Sequence, residues 1–181
     1  MRATMPATHD DEAQLAADAA RGDTRAFDWL VLMHEARVRS FLARVVGRAD
    51  AEDVAQEAFV KAWLALPRRR PEARFEPWLL AIAWNVALDF LKRTRRAAAR
   101  DRAWHAVSEV EDPPAGTARI EVERALARLS VDERAALVLT EGHGWSQSEA
   151  AGILDMRLGT LKSAALRAKR KVLAAIDGES A

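Results

Sequence analysis

Hydrophobic positions recur along this chain at helical spacing. In residues 77–96, Leu79, Ile82, Ala83, Val86 and Phe90 fall at i, i+3, i+4, i+7 and i+11, one stripe of a 3.6-residue repeat. Leu80, Trp84, Leu88 and Leu91 form a second apolar strip, which makes Trp84 a core tryptophan. A third side of the same helix puts Trp78, Asn85, Lys92 and Arg96 in line, with Ala81 and Asp89. Pro77 is a good first-turn proline, so the helix is expected to begin near it. Upstream, the pattern predicts helices over about 11–21, 23–46 and 51–66. Asp50 is placed to cap the last of these, with acids in its first turn. That helix turns Ala55, Ala58, Phe59, Ala62 and Leu66 inward and leaves Asp53, Gln56, Glu57 and Val60 outward. No β-branched run alternates with polar residues over strand length, so the expected fold class is all-α.

The C-terminal part marks its helices with two capping boxes, Ser130-x-x-Glu133 and Ser146-x-x-Glu149. A helix over about 119–129 precedes them. The second box opens a short helix over 146–155, followed by a turn over Asp155–Gly159 and a basic helix from about 159 to 175. Helix, tight turn and basic helix make a helix-turn-helix layout. Between the two halves, Pro113-Pro114-Ala115-Gly116 sits in a polar stretch and marks a linker. The expected plan is therefore two small helical domains joined by a flexible linker. It comprises a disordered N-terminus at 1–10, a four-helix unit at 11–96, a linker at 97–118, a helix-turn-helix unit at 119–176 and a tail at 177–181.

Composition adds little until charge is placed along the chain. The totals are 28 Lys+Arg against 27 Asp+Glu, a net +1 that by itself argues against binding nucleic acid. Residues 67–102, however, hold ten cations against four acids, and residues 157–171 hold six cations and no acid. Residues 108–155 hold ten acids against four arginines, and 49–60 are acidic with no base. The balance conceals two basic segments separated by acidic ones.

With no cysteine, disulfides, thiol catalysis and Cys-ligated zinc are excluded. The four histidines are scattered, no Gly-rich phosphate loop is present, and no nucleophile has a base at motif spacing. Neither an enzyme nor a cofactor or metal protein is expected. No apolar run approaches membrane-span length and the N-terminus lacks a signal-peptide core, so a reducing, cytoplasmic setting without membrane insertion is the expectation.

Two places carry nucleic-acid chemistry. On the last helix, Thr160, Ser163, Arg167 and Arg170 share a face, with Lys162 and Lys169 beside it and Leu161, Ala165, Ala168 and Val172 opposite. Hydroxyls and guanidiniums near a helix N-terminus suit phosphates and base edges in a major groove. A solvated basic helix closing a bundle is the plainer alternative. Arg68–Arg70, Arg74 and Phe75 lie in a proline-bracketed loop just before Trp78 and Asn85. Rings, an amide and cations together serve stacking, base-edge bonding and phosphate neutralisation of a single strand. Ordinary core packing is the alternative for the tryptophans. For Asp53 and Glu57 it is simple dipole compensation, with an acidic docking face for a basic partner as the sharper reading.

Three blocks resemble one family. Asp50–Trp63 (DAEDVAQEAFVKAW) closely resembles the second conserved region of bacterial sigma factors, and Phe75–Arg93 (FEPWLLAIAWNVALDFLKR) is similar to the segment that follows it. Leu129–Leu139, Trp145–Leu154 and Gly159–Ser163 together resemble the fourth region. Two such domains with none between is the layout of the extracytoplasmic-function (ECF) sigma factors, and the resemblance covers about 11–176. It implies that Asp53, Gln56 and Glu57 dock on the clamp helices of core RNA polymerase. It implies that Arg70, Arg74, Phe75, Trp78, Asn85, Asp89, Lys92, Arg93 and Arg96 open and read the −10 promoter element as a single strand. Arg157, Thr160, Lys162, Ser163, Arg167 and Arg170 would read the −35 element as duplex, and an anti-sigma factor would hold the protein inactive. The chain departs from the family at Trp84, where an arginine is common, and at Ala164-Ala165-Leu166-Arg167, where Arg-Leu-x-Arg is common. The missing arginine is expected to leave fewer duplex contacts. A stand-alone helix-turn-helix regulator would explain 130–175 but leave 67–102 idle. A sigma mimic that titrates an anti-sigma factor would not need Asn85, Lys92 and Arg167.

Overall fold

The computed structural model describes residues 9–104 and 125–179, and those residues are helical apart from turns. The chain divides into two compact units, Met1–Val86 and Ala87–Ala181, with the division inside a helix. Helix α1 spans His9–Ala20, α2 Thr24–Val45, α3 Ala51–Ala65 and α4 Phe75–Trp104, with a 3₁₀ turn at Leu66–Arg68 after α3. Further on come α5 at Val131–Leu137, a π-helical turn at Val138–Gly142, α6 at Gln147–Ile153 and α7 at Leu158–Glu179.

In the first unit α2 packs against α1 and α3, and α1 also meets the 3₁₀ turn. Leu30, Val38, Phe41 and Leu42 of α2 are buried with Val54, Ala58 and Ala62 of α3 and with Leu79, Leu80, Ala83, Trp84 and Val86 of α4. The Trp84 indole is 2% exposed and lies 6.5 Å from the Phe41 ring, so the second apolar strip of α4 is indeed core. Gly22, at φ +99, ends α1, with its N–H bonded to Ala19 O (3.0 Å) and the next N–H, of Asp23, to Asp18 O (3.2 Å). The Asp23 carboxylate then accepts from the N–H groups of Arg25 (2.9 Å) and Ala26 (3.2 Å), capping α2.

Two expectations fail here. Asp50 makes no side-chain cap, because its backbone is already helical (φ −99, ψ −9) rather than in the extended geometry a cap needs. Helix α4 begins at Phe75, with Pro77 in its first turn as expected, but it continues past 96 through the first part of the expected linker to Trp104. At 30 residues it is about 45 Å long. The remainder of that linker, and most of the helix expected at 119–129, lie outside the described residues, although 125–127 are helical.

In the second unit both capping boxes form as the sequence predicts. Ser130 Oγ accepts from the Glu133 N–H (3.2 Å) while Glu133 Oε2 accepts from the Ser130 N–H (3.0 Å), and Ser146 with Glu149 repeats the arrangement. Helix α5 packs along α7, and α6 packs on α7 as well. Leu139, Trp145, Ala150, Ile153, Leu154, Leu161, Ala164 and Ala168 are buried. Arg134 Nε donates to Leu126 O (2.9 Å), holding the end of the preceding helix. The π-turn, with His143 N–H bonded to Val138 O (2.9 Å), was not signalled by the helical period.

Glu133 does more than cap. It is 4% exposed, and across the unit Arg167 Nε donates to its Oε1 (3.1 Å) and Lys171 Nζ to its Oε2 (2.7 Å). The Lys171 hydrogen bond above all, with the Ser130 N–H and Arg167 adding to it against the cost of burial, lowers its pKa to about 2. A carboxylate with a depressed pKa stabilises the fold fully above its unfolded value and loses that contribution as pH falls toward the folded value. Glu133→Gln should therefore destabilise the second unit at neutral pH by about 1–3 kcal/mol. The gap to the wild type should close between about pH 4.5 and 2, as read by urea titration of α5 and α7 NMR resonances.

The corner between α6 and α7 is closed by Met156 N–H to Ala151 O (2.9 Å) and Asp155 N–H to Gly152 O (3.4 Å), with Asp155 left-handed at φ 51. A β-branched residue is strained there, so Asp155→Val should lower stability by about 1–2 kcal/mol. Asp155→Gly should be neutral or stabilising in the same thermal melt.

Candidate nucleic-acid interfaces

Burial of Val54, Ala55, Ala58 and Ala62 fixes the rotation of α3 and so sets its outward face. Asp53 and Gln56 are exposed, and Glu57 is half-buried with Lys61 Nζ 2.9 Å from its carboxylate. Gln56 Nε2 donates to Glu52 (3.3 Å), whose carboxylate also meets Arg39 (3.0 Å). Val60 and Leu64 continue this face at 59% and 70% exposure. Leu64 was missed by the sequence reading, although its spacing from Val60 and Glu57 places it on the same stripe. The face is thus acidic and amidic at one end and apolar at the other.

The loop from Arg69 to Arg74 leads into α4. Arg70 and Arg74 are exposed, as are Asn85, Asp89, Lys92, Arg93 and Arg96 along α4, while Trp78 is half-buried. Asn85 Nδ2 donates to Ala81 O of its own helix (3.0 Å), which leaves its carbonyl oxygen as an acceptor. Lys92 Nζ lies 3.9 Å from Asp89. Phe75 is different: it is 3% exposed, with its ring 5.3 Å from His34 and 5.5 Å from Trp78. As the first residue of α4 it is drawn into the core between α2 and Trp78, so it supports the exposed surface from beneath.

Arg69 belongs to the cationic loop that the sequence singles out, but three successive arginines carry no periodic signal to tell their roles apart. Its guanidinium lies 5.9 Å from the ring centres of both Phe75 and Trp78 and donates to Ala73 O across the loop. Burial lowers its pKa, partly countered by Glu12 and Glu72. Behind it His34 is buried, 3.7 Å from Glu12, and burial holds its imidazole below the usual pKa although Glu12 and Glu76 oppose this. Arg37 pairs with Glu76 at 3.0 Å, tying α2 to the first turn of α4.

On α7 the expected outward residues are all exposed: Arg157 just before the helix, then Thr160, Lys162, Ser163, Arg167 and Arg170. The inward set is Leu161, Ala164 and Ala168, with Ala165 and Val172 half-buried. Ala164 is 2% exposed, so the departure from the family at this position trims the core side of α7 rather than its outward face. Leu166, at 52% exposure, stands among the cations. Arg167 differs from its neighbours because Glu133 claims its Nε.

An acidic–apolar helix face, a cationic loop backed by aromatic rings and a capped helix-turn-helix together describe a helical protein built to meet both nucleic acid and a protein partner. Comparison with known proteins makes this definite. Sigma-70 region 2 matches residues 30–97, and Sigma-70 region 4 matches residues 119–172. The RNA polymerase sigma-H factor of Pseudomonas aeruginosa is 36% identical over 180 residues, covering 91% of this chain and 93% of that protein. The ECF RNA polymerase sigma-E factor of Escherichia coli is 34% identical over 166 residues, covering 84% of this chain and 87% of that protein. Among solved structures, CnrH in complex with the cytosolic domain of CnrY aligns with a TM-score of 0.70 at 33% identity, over 93% of this chain and 99% of that one. The chain belongs to the ECF family of RNA polymerase sigma factors.

The Arg69 contacts make a local prediction. Arg69→Ala removes the bond to Ala73 O and the cation beside both rings, a loss of about 1 kcal/mol. Hydrogen exchange at the amides of the 70–75 loop should quicken severalfold while α2 and α3 amides keep their protection.

Proposed function

We propose that the chain binds core RNA polymerase and directs it to promoters, reading the −10 element as single strand and the −35 element as duplex. The observation that carries this is the presence of both family regions in one chain, each with its own cationic outward face. Residues 11–96 act as the promoter-melting domain, 97–118 as the connection and 119–176 as the helix-turn-helix domain. Asp53, Gln56 and Glu57, extended by Val60 and Leu64, form the polymerase-docking face of α3. Arg70, Arg74, Trp78, Asn85, Asp89, Lys92, Arg93 and Arg96 hold the opened strand, with an extruded base read by ring and amide. Phe75 shapes that surface from beneath, and half-buried Arg69 braces its edge. Arg157, Thr160, Lys162, Ser163, Arg167 and Arg170 meet the duplex.

The protein performs no bond-making chemistry and uses no cofactor; it acts in the cytoplasm, where its polymerase is. Among the described residues no helix is long and apolar enough to cross a membrane. An anti-sigma factor controls it: the similar sigma factor RpoE of Bartonella quintana was solved with the anti-sigma factor NepR. The stand-alone regulator is the weaker reading, since it gives the region 2 match no work.

Adding the purified protein to sigma-free core polymerase should produce initiation from a cognate promoter, and failure to associate with core would sink the proposal. Asp53→Ala with Gln56→Ala should weaken core binding on the order of tenfold with unchanged circular dichroism. A collapsed fold in that variant would reassign both residues to structure.

A further inference from the structure

Glu133 is the one acidic side chain among the described residues that is almost wholly buried, and it reaches the DNA-facing helix from 34 and 38 residues away. A buried carboxylate needs compensation, and here two cations of α7 supply it. Lys171 takes one oxygen and Arg167 Nε the other, while Ser130 N–H adds a third bond. Every member of this arrangement is fixed by something else. The capping box holds Glu133 at the start of α5, and the buried Leu161, Ala164 and Ala168 hold the rotation of α7.

The consequence falls on Arg167. A free arginine samples many rotamers and must give up that freedom on binding. Arg167 has its Nε anchored, yet its side chain is 58% exposed. Glu133 takes the Nε side of the guanidinium, which leaves the end-on pair of Nη groups for a pair of acceptors at fork spacing. Guanine O6 and N7, or two oxygens of one phosphate, both have that spacing.

We propose that Glu133 is a positioning residue for −35 recognition: it orients Arg167 before DNA arrives, so that the guanidinium fork meets the duplex already aimed. This rests on the reading of α7 as the −35-binding helix. It extends that reading to a residue on another helix that itself touches no DNA. The same carboxylate neutralises part of the basic face, so it lowers attraction to any duplex while raising preference for the right one.

Those two effects have opposite signs, which separates positioning from fold maintenance. The probe is the duplex that the wild-type holoenzyme selects from a randomised pool, compared with a scrambled duplex of equal length. In Glu133→Gln holoenzyme the ratio of selected to scrambled affinity should fall about threefold to tenfold. Affinity for the scrambled duplex should hold or rise, with a steeper dependence on salt, because one negative charge is gone. Arg167→Ala should lower the ratio at least as far, and the double variant no further than Arg167→Ala alone. Ser130→Ala weakens the cap but leaves the ion cluster, so it should keep the wild-type ratio.

Selected duplexes carrying 7-deazaguanine or a methylphosphonate identify the acceptor pair by which one abolishes the Arg167 effect. Loss of both affinities together in Glu133→Gln, or additive losses in the double variant, would overturn the proposal. If Lys162→Ala and Ser163→Ala weaken duplex binding while Arg167→Ala does not, the −35 reading stands and the positioning role falls. If none of the three matters, the −35 reading itself falls and takes this proposal with it.

Discussion

A helix has one rotational freedom about its own axis, and the side chains it buries remove it. Every candidate contact in this protein follows from that removal. Leu79, Leu80, Ala83, Trp84 and Val86 lock α4, and only then does Asn85 face outward, with Asp89, Lys92, Arg93 and Arg96 exposed further along the helix. Leu161, Ala164 and Ala168 do the same for α7, and Ala55, Ala58 and Ala62 for α3. Alanine is frequent at these positions because small side chains let helices approach closely without setting the outward residues. The interfaces are therefore by-products of core packing, and a core substitution that turns a helix a few tens of degrees would misplace a whole row of contacts.

Much of this was legible in the sequence because it is local or periodic. The two capping boxes, the core assignment of Trp84 and the outward rows of α3 and α7 depend on residues within a few positions of one another. What could not be read is what the fold brings together from afar. The Glu133–Arg167 and Glu133–Lys171 pairs span more than thirty residues, and no spacing rule reaches that distance. Phe75 read as a strand-facing ring because its neighbours are polar, yet His34 and Trp78 bury it. Asp50 had the right chemistry for a cap and the wrong backbone conformation. The π-turn at Val138–Gly142 widens a helix that the sequence period continues unbroken.

Charge follows the same logic. A net of +1 hides cations on outward faces, and their acidic counterparts are not spread evenly. Some sit beside the cations they temper, as Asp89 beside Lys92 and Glu141 beside Lys169. Exposed pairs like these contribute little to stability and are readily exchanged for a phosphate. Glu133 is the exception, since its burial makes the exchange costly.

The joint between α1 and α2 has a consequence for what the chain can tolerate. Gly22 and Asp23 complete one helix end and begin the next, so no residue in that turn is spare. One residue inserted there would advance the register of α2 by about 100° relative to α1. Both sets of terminal hydrogen bonds would be lost, and the face of α2 that meets α1 would turn toward water. The joint is a rivet rather than a hinge. Length changes among homologous chains are therefore to be looked for elsewhere, above all in the exposed stretch between Pro67 and Arg74, where the Arg69 and Ala73 contacts help hold the path.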